Sequence, residues 1–140
     1  MQVRNLWKAK TMAAGLAAAL AVGACATVDD SKSWTDVKGA GELRKLFSDK
    51  TFSGKGSYDL PTAWVSYNRA DGQGLFVISA QKYRYTWAVA GDDQICTESE
   101  RGKNCYRYQR HASNAKFHRS FNLKTGQYRE FTVDEGIAQF

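Results

Sequence analysis

Apolar positions along the chain change their period twice. From Thr11 to Val22 they form a 12-residue run without charge, rich in Ala and Leu. A polar stretch follows, and then Leu43, Leu46 and Phe47 fall at i, i+3 and i+4, with Glu42, Arg44 and Lys45 on the other side. That spacing predicts one or two turns of amphipathic helix with its apolar stripe in the core. Just before it, Ser33-Trp34-Thr35-Asp36 has the spacing of a helix N-cap with an acid three residues on, and Gly39 and Gly41 interrupt any long helix. From Thr51 onward the period becomes two. Ala63 to Asn68 reads as a strand and Arg69-Ala70-Asp71-Gly72 as a turn. Leu75 to Ser79 and Lys82 to Ala90 read as strands rich in aromatic and β-branched residues. Gly91-Asp92-Asp93, Glu100-Arg101-Gly102 and Lys124-Thr125-Gly126 are turns. They separate strands at Gln94 to Glu98, Cys105 to His111, Lys116 to Asn122 and Gln127 to Val133. Short strands at roughly 8–12-residue spacing predict a mainly β domain. The expectation is a short N-terminal helix followed by an antiparallel meander, closed or half closed as a small barrel, within residues 34–140.

The first apolar run belongs to a different kind of segment. Arg4, Lys8 and Lys10 precede it, and small residues ending in Val22-Gly23-Ala24-Cys25 follow it. A basic stretch, an apolar stretch and small residues are the three parts of a secretory signal. A membrane span is the competing reading, since the uncharged run reaches 18 residues, from Thr11 to Val28. Much of that run is Ala and Gly, however, which favours residues 1–24 as a signal. Val22-Gly23-Ala24-Cys25 resembles the lipobox of bacterial lipoproteins, with Val in place of the commoner Leu. The resemblance implies a lipid on the Cys25 sulfur, an anchor in the membrane and a tether over residues 25–33. Ala26, rather than Asp, follows the Cys, which implies sorting to the outer membrane. Two or more acyl chains would make such an anchor stable.

Charge and cysteine content sharpen this picture. The formal charge is +6, but removing Arg4, Lys8 and Lys10 from the 20 basic residues leaves 17 against 14 acidic ones, an ordinary surface. Assigning Cys25 to lipid leaves Cys96 and Cys105 as an even pair in an oxidising compartment. They sit on neighbouring strands across the Glu100-Arg101-Gly102 turn, which predicts a disulfide; zinc and redox pairs are the alternatives. No metal site and no cofactor are expected.

The domain also resembles an uncharacterised proteobacterial family of small secreted proteins and lipoproteins, a domain of unknown function. The matching stretches are Leu46-Phe47-Ser48-Asp49-Lys50-Thr51-Phe52-Ser53-Gly54, Asp71-Gly72, Trp87-Ala88-Val89-Ala90-Gly91-Asp92, Cys96 and Cys105-Tyr106. Many members carry Gly before the Trp, where this chain has Tyr85-Thr86. The resemblance implies a small β domain at the cell envelope and supplies no catalytic or binding residues.

Candidate chemistry is sparse. His111 and His118 are the only histidines, and both fall in a basic stretch expected at the surface. No nucleophile motif or phosphate loop accompanies them. Asp71, Asp92 and Asp93 lack the alternating ligands of a calcium loop and suit turns better. The outstanding feature is a run of eight basic residues from Arg101 to Arg129 with no acid between Glu100 and Glu130. Tyr106, Tyr108, Phe117, Phe121 and Tyr128 are interleaved. Strand alternation is expected to send many of these aromatics inward and several cations outward. An exposed anion-binding face of Arg107, Arg110, Lys116 and Arg119 would suit a phosphate-rich envelope glycolipid or an acidic protein. Nucleic acid fits the composition but not the address.

The reading that follows is a non-catalytic envelope lipoprotein that binds a partner or supports the envelope. The rival is an inhibitor of a secreted hydrolase, such as a lysozyme or protease, presenting Ser99 to Asn104 as a protruding loop. An enzyme would require a pocket holding His111 or His118 beside a carboxylate. The anchor is tested by labelled palmitate. The wild-type chain is expected to take up label, and Cys25→Ser to remain unlabelled and unprocessed. Wild-type protein that takes up none and leaves membranes in salt contradicts the lipobox reading.

Overall fold

The computed structural model describes residues 33–56, 60 and 62–138. The signal at 1–24, Cys25 and nearly all of the tether lie outside the described residues. Ten elements follow in chain order: β1 (Trp34–Asp36), α1 (Ala40–Phe47), β2 (Lys50–Gly54), β3 (Trp64–Asn68), β4 (Gln73–Ile78), β5 (Gln81–Ala90), β6 (Gln94–Ser99), β7 (Gly102–His111), β8 (Asn114–Asn122) and β9 (Tyr128–Glu135).

From β2 to β9 each strand pairs antiparallel with the next, and β9 returns to pair with β2 through Lys50↔Glu135, Phe52↔Val133 and Ser53↔Thr132. The result is a closed, eight-stranded up-and-down barrel. Closure leaves these strands no long open edge to associate with other chains. The expected helix and strands all form, within a few residues of their anticipated bounds. The exception is Ser33-Trp34-Thr35-Asp36, whose last three residues are strand β1 and not a helix start. Trp34, Thr35 and Asp36 pair with His111, Arg110 and Gln109, extending the sheet where β6 has ended. Asp36 accepts a hydrogen bond from Gln109 Nε2 (2.7 Å) instead of capping a helix. Long-range pairing has outcompeted a local cap worth only about 1 kcal/mol.

Helix α1 closes one end of the barrel. Gly39 N donates to the carbonyl of Asp92 (2.6 Å), in the turn between β5 and β6. The predicted stripe of Leu43, Leu46 and Phe47 is buried. Phe47 enters among Phe52, Trp87 and Tyr108, with ring centroids at 4.9, 5.1 and 5.3 Å. Complete burial of an aliphatic or aromatic side chain contributes about 1.5–3 kcal/mol, so these three residues bind the helix firmly. Asp49 completes this end: its side chain accepts from Ala70 N (3.0 Å) and its carbonyl from Gly136 N (2.8 Å).

Cys96 and Cys105 face each other in register and form a disulfide, with Cα atoms 4.0 Å apart. The bridge joins β6 to β7 across a loop for which a contribution of about 2–3 kcal/mol is expected. At the opposite end from α1, β4 and β5 are joined by Ser79 and Ala80 alone, since Ile78 pairs with Gln81. Both turn residues have positive φ, 50° and 63°. A two-residue hairpin of this hand normally uses Asn-Gly, because other residues in the left-handed region cost about 1–2 kcal/mol each. Ala80→Gly is therefore expected to raise the unfolding free energy by about 1 kcal/mol in chemical denaturation. Destabilisation by the same substitution contradicts the turn geometry.

Candidate functional site

Strand alternation sends one set of side chains into the lumen, and at the helix end that set is bulky. Phe47, Phe52, Trp87, Ile95, Tyr108 and Phe131 pack into one buried cluster. Toward the other end the inward positions turn smaller and more polar. Ser66 on β3, Thr97 and Ser99 on β6, Asn104 on β7 and Ser120 on β8 cannot fill the width of eight strands. A cavity of about 300 Å³ remains there, open at the end away from α1. Its floor is Phe47, Phe52, Tyr108 and Phe131, and its walls include Trp64, Phe76, Ile78, Tyr85 and Tyr106. That volume lies at the lower limit of the roughly 300–1,000 Å³ typical of small-molecule sites.

Two glycines keep the lumen open. Gly54 is the last residue of β2 and Gly74 the second of β4, and a glycine within a strand marks a close approach. A Cβ at Gly54 would fall within the indole of Trp64, and one at Gly74 within the ring of Tyr85. Each ring therefore lies flat against the wall over a glycine instead of crossing the cavity. Tyr85 is fixed further by hydrogen bonds from its hydroxyl to Asn68 Oδ1 (2.5 Å) and with Ser66 Oγ (2.5 Å). Asn68 is fully buried, and its Nδ2 has no acceptor among the described residues.

Two of the lumen's phenols, Tyr85 and Tyr108, are held neutral by burial. Burial pushes the Tyr85 hydroxyl up to about 12, with Tyr106 adding to the shift and the Ser66 hydrogen bond opposing it. Burial also raises Tyr108 well above the ordinary tyrosine value. Charge at the cavity comes instead from Arg84, Arg101 and Arg129, and no Asp or Glu is among the described lining residues. Arg101 sits at the rim, its guanidinium carbon 4.3 Å from the centroid of the Tyr83 ring.

The cations expected to form one anion-binding face are separated. Arg107 lies on the outer wall and pairs with Asp93 (3.2 Å), and Lys116 pairs with Asp134 (3.2 Å) near the closed end. Arg119 stacks 4.4 Å above the Trp34 ring and 5.1 Å from Phe121, while its Nε donates to Gln109 Oε1 (2.7 Å). Arg110 donates from Nε to His118 Nε2 (3.3 Å). Alternation explains the separation, because Arg107 and Arg119 share one parity across β7 and β8 whereas Arg110 and Lys116 have the other. The aromatics divide too: Tyr106 and Tyr108 line the lumen, but Phe117 packs against Trp34 and Phe121 against Tyr128. Arg129, from the same basic run, faces inward. The basic run was legible in the sequence; which of its members point inward depends on parity and register.

Other expected features also move. The Ser99 to Asn104 segment does not protrude; Ser99 pairs with Gly102 and leaves a two-residue turn. His111 is partly buried and accepts through Nδ1 from Ser113 N (3.2 Å). His118 was expected at the surface but is 2% exposed. It stacks on Phe131, and Nδ1 hydrogen-bonds with the carbonyl of Lys116 (3.1 Å). That leaves Nε2 unprotonated to accept from Arg110, so the ring is neutral. Asp71 sits in its turn, pairing with Arg69 (2.6 Å). Among the described residues no group of His, Cys, Asp and Glu could hold a metal ion, and no helix is long and apolar enough to cross a membrane. No protein-family model, curated protein or solved structure matches the chain.

The buried histidine generates a pH dependence. Desolvation lowers its pKa from 6.5, Arg110 lowers it further, and the Lys116 carbonyl opposes the shift. On acidification the unfolded chain takes up this proton before the folded one does, so folding loses stability as pH falls below about 6.5. His118→Asn is expected to flatten the pH dependence of the unfolding free energy between pH 7 and 5. An unchanged slope in that variant contradicts the buried neutral ring.

Proposed function

We propose that this chain is an envelope lipoprotein, anchored through Cys25 to the outer membrane, whose barrel is a non-catalytic binding module for one small amphipathic molecule. The observation that carries the binding reading is the open lumen itself. A closed sheet of eight strands either fills its interior with side chains or holds one small ligand, and this one is filled at one end only. Aromatic walls give an apolar body large contact areas, and the hydroxyls of Ser66, Thr97 and Tyr106 offer it a few polar contacts.

The address supports such a role. The described chain enters at the closed end, where Ala112 N bonds the carbonyl of Ser33 (2.7 Å). A lipid on Cys25 would therefore anchor the end opposite the mouth and leave the mouth unobstructed. Arg107, Arg110, Lys116 and Arg119, being paired, stacked or hydrogen-bonded, favour the lumen over the outer wall as the binding site. A tight hairpin in place of a protruding loop likewise favours this reading over inhibition of a hydrolase.

The test uses the full chain in nanodiscs of neutral lipid, with empty nanodiscs as the blank. Titration with N-phenyl-1-naphthylamine, a neutral fluorescent probe, is expected to give saturable enhancement at one site per chain. Ser120→Phe, which places a ring in the lumen, should abolish it, and Arg107→Gln on the outer wall should leave it unchanged. Enhancement that survives Ser120→Phe but falls with Arg107→Gln overturns the proposal.

A further inference from the structure

Ion pairs gather toward the closed end of the barrel, where Lys50 meets Glu135, Arg69 meets Asp71 and Lys116 meets Asp134 at 2.8, 2.6 and 3.2 Å. The mouth is different. Arg101 occupies the two-residue turn between β6 and β7 and has no acidic partner among the described residues. It is exposed, yet its position is defined: its backbone N donates to Ser99 Oγ (3.2 Å), and its guanidinium lies over the Tyr83 ring. Tyr83 is itself hydrogen-bonded to Gln81. Stacking uses the face of a guanidinium and leaves its in-plane N–H groups free, and those donors match a carboxylate in a bidentate pair. Arg84 and Arg129 also line the cavity, and no Asp or Glu is among its described lining residues.

We infer that the lumen's ligand is a small organic anion, its apolar body between the aromatic walls and its anionic end on Arg101 at the mouth. This rests on the lumen being the binding site, as proposed above. Size narrows the class further. A volume of about 300 Å³ corresponds to roughly ten waters at ~30 Å³ each, enough for one or two fused rings or a short acyl chain but not a diacyl lipid. The exposed rim is consistent with a head group that stays partly in water, because full burial of a charge would add a desolvation cost.

Two ligands of nearly the same shape separate charge from cavity binding. The full chain in neutral nanodiscs is titrated calorimetrically with 2-naphthoate and with 2-naphthamide, at low and high salt. Naphthoate is expected to bind about tenfold more tightly at low salt, with the preference shrinking as salt rises. Arg101→Gln should reduce the preference to nearly one while keeping the melting temperature, and Arg101→Lys should retain part of it. Equal affinities in the wild-type chain, or a preference unchanged by Arg101→Gln, overturn the inference and leave the binding cavity standing. Failure of both ligands to bind overturns the cavity reading, and this inference with it.

Discussion

Pairing of β2 with β9 closes the sheet, and a closed sheet of eight strands encloses a lumen whose width the side chains cannot alter. They can only occupy it or leave it empty. At one end α1 inserts Phe47 among Phe52, Trp87 and Tyr108, and packing is dense. At the other, Ser66, Thr97 and Ser120 are too short to meet across it. The cavity is therefore a consequence of closure combined with small inward residues on one side of the aromatic layer. Gly54 and Gly74 belong to the same arrangement, because without them the Trp64 and Tyr85 rings could not lie along the wall.

Closure also sorts the charges. On an open, two-faced sheet the basic run from Arg101 to Arg129 could have formed one continuous face. On a barrel wall its members divide between outside, lumen and the two ends. Three of them are engaged in structural contacts: Arg107 with Asp93, Lys116 with Asp134, and Arg119 with Trp34 and Phe121. Exposed ion pairs of this kind contribute about 0–1 kcal/mol each, so they shape the surface more than they stabilise the fold. Arg101 stands apart because its aromatic platform lies at the mouth of the lumen.

The strands, the helix and the disulfide were legible because local signals agreed with the fold. Period-two alternation, the Leu43-Leu46-Phe47 stripe and turns such as Gly91-Asp92-Asp93 each specify one local outcome, and closure preserves it. Strand β1 was not legible, because its partner, β7, lies more than seventy residues away and its sequence imitates a helix cap. His118 was misplaced because polar neighbours suggest a surface, whereas its inward parity on β8 puts it beneath Phe131. The cavity could have been suspected from Gly54 and Gly74, which belong to strands and each mark a close approach. Its size could not have been read, since that depends on which short residues align across eight strands.

The central claim is that binding occurs inside the barrel and not on its outer wall, and two tryptophans report on the two places. Trp64 lines the lumen, while Trp34 lies outside, against Phe117 and beneath Arg119. The full chain labelled with 5-fluorotryptophan gives each indole its own fluorine resonance, assigned by single Trp→Phe substitutions. On addition of an amphipathic guest, the account predicts that the Trp64 resonance shifts in a saturable way while that of Trp34 holds still. A shift confined to Trp34, or a guest that binds with neither resonance moving, would contradict it.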